Sequence, residues 1–499
     1  MASKVSIAST EDSKGLNLPS VKSAIPFEQA KKLSALPLYW SDGVLVVAAP
    51  KSSWAELKSH SSQWGVKIDV VEADSEDIEE TIKSLEEAND GDFSSSSVDA
   101  EFEKLKSKFK GEAPIANLVQ QLIEKSVSRR ASDLHFEPYE DRFVARIRVD
   151  GYLSELAKFP TNLAGAIVSR IKVMSNMNIV ERRRPQDGQF RVDIAGKNVD
   201  ARVATSTTVH GEKVVIRLHD ARRPAVSLND LGMSDDEMAS FRRMISSTNG
   251  LILAAGPTGS GKTTTLHSAL RAVTVDFKNI VTIEDPVEYV VDGISQIPVA
   301  EAAGIDFALQ LRAILRQDPD VILVGETRDA ETARISLQAA LTGHLVFSSI
   351  HATDCVGAVY RLLQMGLEPH LVASALRGVV SQRLIRRICK FCKYEITPSA
   401  KEKILLERYQ LAPKKVFLGH GCTYCSGTGY RDRIAAYQIL EITDELSEAI
   451  SNRPEPTTFR KLAKKSGMQR LDEAAVQLAA DGITSLGEAM TLLEGIGVE

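Results

Sequence analysis

Residues 1–20 hold no apolar stretch of the kind a secretory leader needs. Nowhere in the 499 residues does an apolar run approach the ~20 residues of a membrane-spanning helix. Both absences place the expected site of action in the cytoplasm, with any membrane association carried by a partner. Charge of one sign is also lacking. Lys and Arg number 61 and Asp and Glu 66, a formal net charge of -5, which argues against a dominant nucleic-acid surface and leaves room only for local basic patches. No internal repeat appears, and no low-complexity tract beyond one serine run. What is present, 43% apolar and 25% charged residues, is the composition of an ordinary globular chain, and its length suits about two to four domains.

The centre of the chain carries the sharpest pattern. Leu251–Ala255 is an apolar strand run, and Gly256-Pro257-Thr258-Gly259-Ser260-Gly261-Lys262-Thr263 follows it as Gly-x-x-x-x-Gly-Lys-Thr. After Thr264 comes a helix pattern, with Leu266, Ala269, Leu270 and Val273 on one face. The glycines let successive backbone N–H groups turn inward around phosphates, and the helix N-terminus adds a favourable dipole. A nucleoside triphosphate is therefore expected, with Lys262 reaching its β- and γ-phosphates and the Thr263 hydroxyl binding Mg²⁺. An inconsequential glycine-rich turn is the competing reading; the flanking strand and helix argue against it.

Hydrolysis needs carboxylates as well. Ile280–Ile283 runs into Glu284, and Val321–Val324 runs through Gly325 into Glu326. Carboxyl ends of parallel strands face the ligand crevice, so both acids are expected at the phosphates. Glu326 is expected to polarise water or hold Mg²⁺ through water, and Glu284 to play the complementary part. The apolar segment 345–350 is bracketed by His344 and His351, which read as polar sensors of the γ-phosphate. Satisfied structural histidines are the alternative, and a metal site lacks a third clustered ligand.

Composition marks the boundaries. Residues 24–71 contain strand-like pieces at 43–48 and 66–71, an acidic helical stretch follows at 72–87, and 89–97 reads as a serine-rich connector. A second unit opens with an amphipathic helix around 115–127 and has strands at 143–149, 200–204 and 213–218, with Asp150-Gly151 as a hairpin turn. From Leu228 onward strands and helices alternate, which implies a parallel sheet covered on both faces.

Of five cysteines, four form Cys389-x-x-Cys392 and Cys422-x-x-Cys425, the spacing of a structural zinc site. Disulfides compete with that reading, but a reducing compartment disfavours them. Gly421 and Gly427 suit tight knuckle turns. Cys355 stands alone and reads as a small packed residue.

Together these motifs resemble the ATPases of type II secretion systems and type IV pilus assembly. The resemblance covers about 113 to the C-terminus, with a weaker echo at 24–88. It rests on Ala131-Ser-Asp-Leu-His135-Phe-Glu137-Pro, Arg148-Val-Asp-Gly151, Arg184-Pro-Gln-Asp-Gly188 and the phosphate loop. It continues through Glu284-Asp-Pro-Val-Glu288, Leu311–Asp320, Gly325-Glu326-Thr-Arg328-Asp329, Thr342-Gly-His344, the cysteine pairs and Asp481–Glu488. Thr327 stands where the family often has Ile. The resemblance implies an α/β fold: a RecA-like phosphate-loop ATPase domain at 226–385, preceded by a PAS-like α+β domain at 113–225. It further implies a small N-terminal α/β domain at 1–90, a flexible linker at 91–112, a four-cysteine zinc module at 386–435 and a helical part at 436–499.

By the same resemblance the chain forms a homo-hexamer that drives pseudopilus assembly in type II secretion. Arg202 and Arg217, from the smaller domain, approach the γ-phosphate of a neighbouring subunit; Arg312, Arg316 and Arg328 serve coupling or subunit contacts. The implied partners are the cytoplasmic domain of a bitopic inner-membrane platform protein, docking on 1–90, and a polytopic platform protein. No nucleic acid is expected. A pilus-extension ATPase is the near alternative, and a DNA-transport motor or a non-catalytic nucleotide-binding scaffold the distant ones. Retraction motors typically lack both the N-terminal domain and the cysteine module.

Overall fold

The computed structural model describes residues 21, 24–79, 81–82, 113–194, 197–220, 226–273, 277–300 and 303–496. The connector expected at 89–97, the linker at 91–112 and most of the first 23 residues lie outside these. The chain divides into two compact units. One comprises the residues up to 223 together with Cys389–Cys392 and His420–Arg431, and the other comprises the rest.

In the first unit, β1 (Leu36–Ser41) and β2 (Val44–Ala49) form a hairpin across Asp42-Gly43, both at positive φ. β2 pairs in parallel with β3 (Lys67–Glu72) through the crossover helix Trp54–Trp64, which ends on Gly65 in the left-handed conformation. β2 alternates strictly. Leu45, Val47 and Ala49 join Leu57 of that helix in one core, while Val46 and Ala48 face a separate apolar cluster.

The same unit holds an antiparallel sheet of β4 (Asp133–Pro138), β5 (Phe143–Val149), β6 (Tyr152–Phe159), β7 (Gln186–Ile194), β8 (Lys197–Thr208) and β9 (Gly211–Asp220), ordered β6-β5-β4-β9-β8-β7. Asp150 and Gly151 turn the β5–β6 hairpin with φ of 48° and 91°, as a two-residue type I′ loop requires. Helices Ala113–Ser128 and Ala164–Met174 bury Leu118, Leu122, Ile167 and Ile171 against Leu134, Phe136 and Ile216 of the sheet.

The second unit is built on β10 (Gly250–Ala255), β11 (Ile280–Glu284), β12 (Ser295–Pro298), β13 (Val321–Val324), β14 (Leu345–Ile350), β15 (Leu376–Ile388) and β18 (Tyr430–Glu441), ordered β12-β11-β13-β14-β10-β15-β18. β10 to β15 pair in parallel. All six residues of β10 are buried because helices cover both faces. Leu251 and Leu253 pack with Leu311 and Leu337, and Ile252 and Ala254 pack with Leu266 and Leu270. β16 (Lys393–Ile396) and β17 (Val416–Gly419) form a two-stranded antiparallel sheet. Ser485 caps the last helix by accepting the Glu488 N–H at 3.2 Å, and the Glu488 carboxylate also meets Arg386.

Candidate active site and metal centre

β10 delivers the chain into the phosphate loop, and the helix Lys262–Val273 carries it away. Gly256 and Gly261 have φ of 152° and 91°. A Cβ on Gly256 would collide with Ser260 Oγ and stand 2.9 Å from Gln382 O; one on Gly261 would stand 2.9 Å from Gln382 Nε2. Only glycine fits there. Gln382, buried on β15, donates to Ser260 O at 2.7 Å and so fixes the loop from behind. Ser260 Oγ is buried with no hydrogen-bond partner. The Lys262 ammonium donates to its own loop, to Gly256 O at 2.9 Å and Pro257 O at 3.0 Å. Burial lowers its pKa, the Glu326 carboxylate pulls the other way and Arg383 adds to the lowering. Positive-φ glycines, an orphaned hydroxyl and a lysine folded back on backbone carbonyls make a cradle that fits a polyphosphate.

Glu326 follows β13, and its loop is tied to β14: Thr327 N–H donates to Ser349 O, and Ser349 Oγ to Gly325 O, both at 2.8 Å. Its Oε2 lies 2.9 Å from Arg328 Nη2. His351, just past the carboxyl end of β14, brings Nε2 to 2.7 Å from Glu326 Oε1, off hydrogen-bond alignment, so that oxygen keeps an open acceptor position. Glu326, Thr327, Arg328, Ile350 and His351 line a concavity of about 330 Å³.

Glu284 is arranged differently. It is buried, and three donors engage it: His267 Nε2 at 3.1 Å from Oε2, Thr282 Oγ1 at 2.7 Å and Gln296 Nε2 at 3.0 Å from Oε1. Burial raises its pKa, but the bonds from His267, Gln296 and Thr282 outweigh that and hold the carboxyl below its ordinary value. Both oxygens are committed, one to the phosphate-loop helix. His267, Gln296 and Gln382 were not legible as site residues from sequence. Their only signal is a polar side chain inside an otherwise buried run.

The two bracketing histidines part company. β10 and β14 run parallel with Gly250 beside Leu345 and Ala255 beside Ile350. His344 therefore sits at the amino end of the sheet, a strand length of about 20 Å from the phosphate loop at ~3.3 Å per residue. There its Nδ1 lies 2.9 Å from Ala339 O and 3.3 Å from Thr342 Oγ1, so it closes the turn after the helix Ala330–Leu341. The sensor expectation for His344 is thus corrected by the parallel register, which leaves its own subunit's loop out of reach.

In the first unit, Arg202 on β8 and Arg217 on β9 are direct cross-strand neighbours. Both line a concavity of about 620 Å³ with Asp133, Asp187 and Gln189. Arg217 Nε donates to Asp133 Oδ1 at 3.1 Å. Glu137, four residues along β4, is clamped likewise by Lys213 of β9 at 2.9 Å and Arg146 of β5 at 2.8 Å. Burial raises the Glu137 pKa, but bonds from Lys213 and Arg146 bring it below its ordinary value. Arg312 pairs with Glu331, and Arg316 Nη1 donates to Arg312 O at 2.7 Å.

The four cysteines converge. Their Sγ atoms all lie within 4.8 Å of one another, with Cys389–Cys422 and Cys422–Cys425 at 3.7 Å and Cys392–Cys425 at 3.8 Å. A tetrahedral ion with Zn–S bonds of about 2.3 Å needs S···S edges of about 3.8 Å, far beyond the ~2.05 Å of a disulfide. Cys425 Sγ accepts N–H groups of Cys422 at 3.2 Å and Gly429 at 3.3 Å, bonds that stabilise a thiolate. Gly421 and Gly427 have φ of 92° and 80°, and a Cβ on Gly421 would strike the Gly427 backbone. The donor set fits zinc. Cys355 is fully buried, and its thiol pKa is pushed up by burial.

Loop, lysine, open carboxylate and parallel sheet define a phosphate-loop ATPase. The family described as "Type II/IV secretion system protein" matches residues 108–491, and the chain belongs to that family. Type II secretion system protein E of Xanthomonas campestris pv. campestris is 41% identical over 82% of this chain and 72% of its own length. The type IV pilus assembly ATPase PilB of Thermus thermophilus is 41% identical over 76% of this chain and 43% of its own. The Legionella pneumophila ATPase DotB shares the fold, with a TM-score of 0.56 and 20% identity over 76% of this chain and 95% of that one. The RecA-like secretion-ATPase fold is therefore this chain's fold. Among the described residues no helix is long and apolar enough to cross a membrane.

Proposed function

We propose that this chain is the ATPase motor of a type II secretion system, acting as a homo-hexamer at the cytoplasmic face of the inner membrane to assemble a pseudopilus. The observation that carries the catalytic part is the meeting of Glu326 and His351 at the carboxyl ends of β13 and β14, close enough to Lys262 for the carboxylate to act on its charge. Lys262 leaves Gly256 O and Pro257 O for the β- and γ-phosphates, while Ser260 and Thr263 offer hydroxyls. Thr263 holds Mg²⁺, which supplies charge neutralisation on the phosphates. Glu326, with its open oxygen, orients the attacking water, and His351 senses the terminal phosphate. Glu284 holds the loop helix through His267. Arg202 and Arg217 donate to the γ-phosphate of the adjacent subunit, where a guanidinium is worth about 10³–10⁵ in rate. Cys389, Cys392, Cys422 and Cys425 bind a structural zinc that contributes on the order of 10 kcal/mol to local folding.

Pilus extension is the near alternative, since type IV pilus assembly ATPases match this chain at the same 41% identity. Residues 1–90 dock the cytoplasmic domain of a bitopic platform protein, and a polytopic platform protein receives the motor. Capture of the full chain by a bitopic secretion-platform protein supports this; capture by pilus-specific partners alone, or turnover stimulated by DNA, overturns it.

A further inference from the structure

Each cysteine pair brackets two residues, and all four of these turn toward residues 24–82. Thr423 donates both its N–H and its Oγ1 to Leu38 O, each at 3.2 Å. Lys390 pairs with Asp77. Phe391 and Tyr424, edge to face with centroids 4.6 Å apart, are buried in one cluster with Leu36, Leu38, Val46 and Ala48. Beside them the His420 ring stands perpendicular to Tyr39 at 4.2 Å.

The sequence of β1 prepares this contact. Its pairing with β2 slips between Pro37 and Tyr39, leaving Leu38 as the extra residue of a bulge on an edge strand. Such a residue falls out of the ladder, which frees the Leu38 carbonyl for Thr423. The sheet is apolar on both faces, yet the crossover helix covers only the face carrying Leu45, Val47 and Ala49. The knuckles cover the other.

We infer that the four-cysteine module is the intramolecular dock of residues 24–82, and that the bound metal makes the dock. The positions of Thr423, Tyr424, Lys390 and Phe391 are set by cysteines on either side. A site whose folding free energy is largely metal binding presents those residues in register only when loaded. This rests on the zinc reading above, and the metal content of the sample separates failure of that reading from failure of the dock.

Hydroxyl-radical footprinting of the full chain tests it, with zinc alone as the probe and a chelator to remove it. In the zinc-loaded chain Leu38 and Tyr424, 1% and 6% exposed, are protected. Once zinc is stripped, Leu38 reactivity rises about tenfold, Leu57 in the domain's own core stays protected, and added zinc reverses the change. A Leu38→Asp variant keeps its one zinc but exposes Tyr424 and Phe391 to the same degree. Persistent protection of Leu38 without zinc overturns the dock, as does protection of Tyr424 in Leu38→Asp. A parallel rise at Leu57 overturns it too, because the domain would then need zinc to fold rather than to dock. A chain that never takes up zinc refutes the metal reading instead.

Discussion

Glu284 and Glu326 end neighbouring strands of one sheet but differ in what remains for them to do. Glu284 has both oxygens bonded to His267, Thr282 and Gln296, while Glu326 keeps Oε1 open toward His351. Glu326→Gln is expected to lower kcat by about 10²–10³ while nucleotide affinity stays within about threefold, as read by phosphate release and equilibrium binding. Lys262→Ala is expected to lose binding as well as turnover. Glu284→Ala strips a buried network of its acceptor and should destabilise the fold by about 3–5 kcal/mol in a denaturant titration. The Glu284 carboxyl is held below its ordinary 4.5, so its stabilisation is complete above about pH 4.5 and is lost as the pH falls through the folded-state value. Acid unfolding of Glu284→Gln should accordingly be less steep below that pH. The sequence could place both acids at strand ends, because apolar runs followed by carboxylates are visible. It could not tell a saturated carboxylate from an open one, since Gln296 and His267 reach Glu284 from other elements.

At the level of elements, periodicity was a good guide where one face is buried and a poor one where register decides. The helix expected at 115–127 is Ala113–Ser128, and the turn expected at Asp150-Gly151 joins β5 to β6. Gly151→Val forces a β-branched side chain to a φ of 91° and should destabilise the antiparallel-sheet domain by about 1–2 kcal/mol in thermal unfolding. His344 was misread because two histidines seven positions apart look equivalent in sequence, whereas a strand puts them at opposite ends. The bulge at Leu38 was equally hidden, since nothing in Leu36–Ser41 announces which carbonyl the ladder omits. Chelating zinc should loosen residues 389–392 and 420–431 in hydrogen exchange and leave nucleotide affinity unchanged. A matching loss of affinity would tie the cysteines to the loop.

On the scale of the whole molecule, the division into two units does not follow the order of the sequence. Cys389–Cys392 and His420–Arg431 belong with the residues before 224, although the chain reaches them only after the phosphate loop. Contiguous segments are what composition can delimit, so such an excursion is invisible to it. The assembly is tested by mixing. Lys262→Ala and Arg202→Ala chains are each expected to be inactive alone, and a mixture should recover measurable turnover if the arginines serve a neighbour's nucleotide. No recovery across mixing ratios, with hexamers verified by mass, would confine Arg202 to its own subunit.

β14 is gripped at its start by His344 against Ala339 and Thr342, and it finishes with His351 at the Glu326 carboxylate. One strand thereby works as a ruler. Sliding it by a single residue would carry His351 about 3.3 Å along its axis and out of reach of Glu326. The turn at the far end of the sheet thus sets the spacing at the near end, and loosening His344 should dull the enzyme without touching a single phosphate contact.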